Sequence, residues 1–141
     1  MADVHGVAAY ILRSHGPMTA MKLQKLVYYS QAWSLVWDEE PLFAECIQAW
    51  ANGPVVFELY DRHRGKFKVT EWEGDSESLD AAQRETVDAI LGFYGKMSSQ
   101  QLSDLTHQED PWLEARRGLS LGERGNREIS HAAMAEYYGS L

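Results

Sequence analysis

Across residues 21–37 the side chains Leu23, Leu26, Val27, Ser30, Trp33 and Trp37 recur at helical spacing along one face. A stripe of that length argues for an amphipathic helix, and its two tryptophans bring large apolar surfaces to a core. The chain is therefore expected to be mainly α, a compact single-domain helical fold around this central helix. Asp3 should cap a first helix carrying Val7, Ala8, Ile11 and Leu12, stopped by Gly16-Pro17. Pro54 suits the first turn of a helix in which Val56, Leu59, Tyr60 and His63 share a face and which Gly65 ends. Ser78 is expected to cap a helix bearing Val87, Ile90, Leu91 and Tyr94, which Gly95 ends, and Ser98 with Gln101 has the form of a capping box. Asp110-Pro111 opens a short helix through Trp112, and Ser130 caps a last one that turns Met134, Tyr137 and Tyr138 inward. Residues 42–50 and 66–72 are expected to be extended and to pair with each other, giving at most a small sheet of two or three strands. Residues 118–128 read as loop.

A length of 141 residues, with 45% hydrophobic and 24% charged, gives enough apolar surface for one core, so residues 1–141 are expected to form a single domain. The lone Cys46 cannot form an intrachain disulfide, and no charged-then-apolar leader precedes the first helix. A cytoplasmic setting is the expectation, with no membrane span, because Ser30, Gln31 and Ser34 break the richest apolar stretch. A net charge of -8 opposes autonomous nucleic-acid binding, since such affinity depends on neutralising phosphates. The charge is uneven: Arg62, Arg64, Lys66 and Lys68 cluster, then Glu71, Glu73, Asp75, Glu77 and Asp80 follow with no basic residue between them. That acidic run suits a basic protein partner.

Catalytic and metal chemistry find little support in the spacing. His5, His15, His63, His107 and His131 are scattered, with neither an HExxH nor a paired CxxC arrangement, so no metal and no cofactor is expected. Gly118, Gly122 and Gly125 lack the Gly-Lys-Ser/Thr of a phosphate loop. Cys46 reads as a small buried apolar residue, there being no base to activate it. The nearest approach to a catalytic group is His107 beside Glu109 and Asp110, which leaves a small hydrolase or transferase using His107 as the rival from another class.

Three ordered blocks carry a resemblance: KLQKLVYY at 22–29 with Ala32-Trp33, AWANGPVVFELY at 49–60, and Leu102, Thr106-His107, Glu109, Pro111-Trp112 and Arg116, followed by Ile129-Ser130. Together they resemble the Panacea domain of bacterial and phage-associated antitoxins of the SocA and GepA types. The resemblance implies a non-enzymatic, mostly helical domain that neutralises a cognate toxin by direct protein–protein binding. In the SocA type it implies an adaptor presenting the toxin to the ClpXP protease. Nothing in the sequence names the toxin, and homo-oligomerisation remains open. Leu23, Gln24, Trp33, Trp50, Gly53, Pro54, Tyr60, His107, Pro111 and Trp112 are expected to be scaffold, with Trp33, Trp37 and Trp50 in the core and Trp33 and Trp50 largely buried. The partner-binding candidates are Lys22, Lys25 and Tyr29 on the polar side of the central helix, and Arg62 on the next, because tyrosine and arginine dominate binding hot spots.

Overall fold

The side chain of Asp3 accepts the Gly6 N–H and starts α1 (Val4–His15), which Gly16 ends at φ +98°. A two-residue strand β1 (Met18–Thr19) leads directly into α2 (Ala20–Trp37), whose N-cap Thr19 accepts from the Lys22 N–H. The computed structural model describes residues 2–141. There, α2 packs on α1, on α4 (Ala81–Tyr94), α5 (Ser99–Thr106) and α7 (His131–Gly139), and on one face of a small sheet. The central position expected for residues 21–37 holds, and the fold is mainly α with two small antiparallel sheets.

The larger sheet has the order β3-β2-β5, formed by β2 (Ile47–Trp50), β3 (Gly53–Val56) and β5 (Glu128–Ile129). β2 and β3 make a hairpin in which Ala49 faces Pro54. Pro54 therefore lies in a strand and does not open a helix. β3 is an edge strand, where the missing N–H costs no ladder bond, and α3 (Phe57–His63) begins three residues later. The extended segment near residue 68 pairs elsewhere than expected. β4 (Lys68–Val69) lies against β1, with Met18 opposite Val69, because both edges of β2 are already taken by β3 and β5.

Two further starts move by one or two residues. Asp80, not Ser78, caps α4 in a full capping box with Gln83, whereas the box of Ser98 with Gln101 on α5 is as expected. Glu109 is the N-cap of α6 (Asp110–Ala115), which puts Pro111 at the second helical position. Trp33 is partly buried against the core, Trp50 is also only partly covered, and Trp37 is 50% exposed where α2 runs out past its neighbours. Cys46 is exposed, not buried, in the loop before β2. Among the described residues no helix is long and apolar enough to cross a membrane.

Candidate functional site

From Leu23 to Ala32 every residue of α2 is buried, Gln24, Lys25, Ser30 and Gln31 included. An amphipathic helix has a wet side; this stretch has none, because α1, α4, α5, α7 and β3 enclose it. Lys25 and Tyr29, expected on a polar face, are therefore interior, and neither can meet a partner in this conformation. The polar groups here have to be satisfied within the protein.

Most are. The amide of Gln24 takes the Val56 N–H at 2.9 Å and donates to the Val56 carbonyl at 3.1 Å, so it hydrogen-bonds the end of β3 as a neighbouring strand would. The same NH2 group donates to Nε2 of buried His63 at 3.0 Å, which requires a neutral ring accepting there. The His63 pKa is lowered accordingly, by burial first and by the Lys25 charge as well. Seven residues on, two turns along the same face, Gln31 repeats the device. Its oxygen accepts the Leu42 and Phe43 N–H groups, and its NH2 donates to the Phe43 carbonyl at 2.9 Å.

Glu109 is also buried. It points inward and makes no cap bond to α6, instead accepting the hydroxyls of Tyr29 at 2.6 Å and Tyr138 at 2.8 Å. Tyr138 in turn bonds Tyr28, Tyr29 stacks on Tyr94 at 4.1 Å, and Trp33 donates to the Tyr94 hydroxyl. Burial raises the Glu109 pKa, and the two tyrosine hydroxyls partly offset this. One carboxyl thus joins α2, α6 and α7.

Lys25 is different. Among the described residues Lys25 Nζ and His107 Nε2 are the two buried side-chain atoms without a hydrogen-bond partner. Lys25 lies beneath the Asn52-Gly53 turn: a Cβ added to Gly53 would stand 2.6 Å from its Cε and 3.1 Å from Thr106 Oγ1. Gly53 also has φ +120°, so the turn needs glycine both for its backbone and for the lysine stem below it. Burial pushes the Lys25 pKa down to about 7. His107 lies against Trp112, ring centroids 4.2 Å apart, and its pKa is lowered by burial and then by Lys25. With Nε2 closed off, the rival hydrolase has no reachable base at that atom. No group of three or more histidine, cysteine or carboxylate side chains suited to a metal ion occurs among the described residues.

The other two partner candidates are at the surface to different degrees. Lys22 is partly buried and donates to the Gly95 carbonyl at 2.6 Å, where His15 also bonds, so it closes the C-terminus of α4. Arg62 is exposed and donates to the Glu73 carbonyl at 2.6 Å, holding the acidic loop against α3.

A family model described as antitoxin SocA-like, Panacea domain, matches residues 23–113. The chain belongs to the Panacea family. No curated protein and no solved structure matches it. The Panacea match runs from the buried start of α2 to α6 and so takes in every group just described except Lys22, His15 and Tyr138. The blocks recognisable in the sequence converge: Gln24, Lys25 and Tyr29 from the first, Gly53 and Val56 from the second, and Thr106, His107 and Glu109 from the third meet around the middle of α2. Trp112 donates to the Trp50 carbonyl, and Arg116 donates to that of Ala49. These motif residues hold the hairpin and α6 on the central helix.

Outside that frame, the hairpin end, α3 and the 118–126 loop enclose a surface cleft of about 730 Å³, lined among others by Trp50, Asn52, Tyr60, Arg64, Arg124 and Asn126. Arg64, Arg124 and Asn126 were not among the sequence candidates; the loop showed only glycine and arginine without apolar period, a signal that marks a loop but not what it faces.

Proposed function

We propose that this chain, acting as one domain in the cytoplasm, is an antitoxin that neutralises a cognate toxin protein by binding it directly and stoichiometrically, with no chemistry of its own. The observation that carries the reading is the Panacea match over residues 23–113. The placement of the ionisable groups agrees with it: Lys25, His63 and Glu109 are enclosed, and the bonds of His63 to Gln24 and of Glu109 to Tyr29 and Tyr138 hold elements together. Co-expression with the neighbouring reading frame is the test. That frame alone should arrest growth, this chain should restore it, and the toxin's half-life should be unchanged by the chain. A neighbour that is harmless alone, or growth that is not restored, refutes the proposal.

A further inference from the structure

The cleft at the hairpin end differs in charge from the molecule as a whole. The chain has a net charge of -8, yet the charged side chains lining this cleft are two arginines, and no carboxylate lines it. Its walls are aromatic: Trp50 and Tyr60 meet edge to face at 4.7 Å, and Phe57, 42% exposed, adjoins Trp50. Arg64 lies over the Tyr60 ring at 5.4 Å and pairs with Asp61 on its own helix. Arg124 is in no ion pair among the described residues.

The cleft is built on a buried support. Arg116 is itself buried under the 118–126 loop, where it donates to the carbonyls of Ala49, Ser120 and Glu123 and so fixes that loop to the end of β2. Trp112 secures the Trp50 backbone from the same side. The volume falls within the roughly 300–1,000 Å³ typical of ligand pockets, and tryptophan, tyrosine and arginine are the residue types that dominate protein–protein hot spots. The two sides also differ in origin: Trp50, Asn52, Tyr60 and Arg64 lie inside the family-matched segment, whereas Arg124, Gly125 and Asn126 lie beyond it.

We infer that this cleft is where the toxin docks, receiving an acidic segment of it with a carboxylate against Arg124 and Arg64 and the adjoining side chain against the aromatic wall of Trp50 and Tyr60. The inference rests on the antitoxin reading and gives it a surface. Charge complementarity selects the occupant: two arginines and no carboxylate line an aromatic cleft on a molecule of net charge -8, a setting that suits an acidic peptide.

Affinity for the purified toxin of the neighbouring frame, measured by calorimetry beside growth rescue, tests it. Arg124→Glu and Asn52→Glu each place a carboxylate in the cleft, while Lys96→Glu makes a charge reversal on exposed surface outside it. The cleft variants should bind about tenfold or more weakly with unchanged melting temperature, and Lys96→Glu should bind as the wild type does. If one cleft variant melts early, the other is read. Wild-type affinity in a folded cleft variant overturns the inference and leaves the antitoxin reading standing; a wild type that neither binds nor rescues overturns both. Binding of a single-stranded oligonucleotide by the chain alone, lost in Arg124→Glu, would assign the cleft to nucleic acid and overturn the inference too.

Discussion

Lys25 lies wholly buried in α2 with no hydrogen-bond partner for its amine. Lysine on a striped helix is ordinarily a solvated residue, and periodicity alone places it there; what periodicity cannot register is that neighbours enclose the helix on every side. Removing a lone ammonium from water is costly, and its pKa falls to about 7 in response. The unfolded chain, with an ordinary lysine near 10.5, then binds more protons than the folded one between about pH 7 and 10.5. Stability contributed through this group rises with pH across that window and is lowest, and flat, below about 7. Lys25→Met should remove this slope and stabilise the protein at pH 7 by about 1 kcal/mol or more, because an apolar side chain of similar volume takes the place of an unpartnered buried amine. Denaturant unfolding of both proteins from pH 7 to 10 checks it. A variant less stable than the wild type at pH 7 would mean that the ammonium has a stabilising partner.

At the scale of elements, the helices were legible because their ends carry their own chemistry. Asp3, Ser98 and Ser130 cap where their hydroxyl or carboxyl groups predict. The hairpin was not legible: Pro54 favours a helix start by local rules, and it lies in a strand because β3 pairs with β2, while Gln24, thirty residues earlier, takes up the outward hydrogen-bonding groups of Val56. Long-range demands of that kind leave no local trace, although glutamines at 24 and 31, two turns apart within an apolar stripe, are the nearest thing to one. Gln24→Leu strands the Val56 N–H and C=O and the His63 nitrogen, and should cost roughly 3 kcal/mol or more, at about 1–3 kcal/mol for each buried group left unpaired. A loss under about 1 kcal/mol in chemical denaturation would show that the backbone finds other partners. Gly53→Ala forces a Cβ onto Lys25 Cε in a backbone conformation that L-residues rarely adopt, and should destabilise by about 2 kcal/mol or more. Part of that loss should disappear in a Lys25→Ala background, where the stem is gone. Strict additivity in the double-mutant cycle would contradict the contact.

For the whole molecule, the Panacea motifs describe how the fold is held together more than what it touches. Their residues converge on α2 and on the underside of the hairpin, so a sequence match reports the frame, while the cleft arises only when residues near 50, 60 and 125 are brought together. Tyr29 shows the difference well: a hot-spot residue type by composition, it is spent on Glu109 and Tyr94 in the interior. Neutralisation by binding alone, as proposed, is decided by titrating toxin activity against increasing amounts of this protein. Activity should fall linearly and reach zero at a fixed, small whole-number molar ratio, with the toxin's mass unchanged. Complete inactivation at a small fraction of that ratio, progressing with time and leaving the toxin covalently altered, would contradict it.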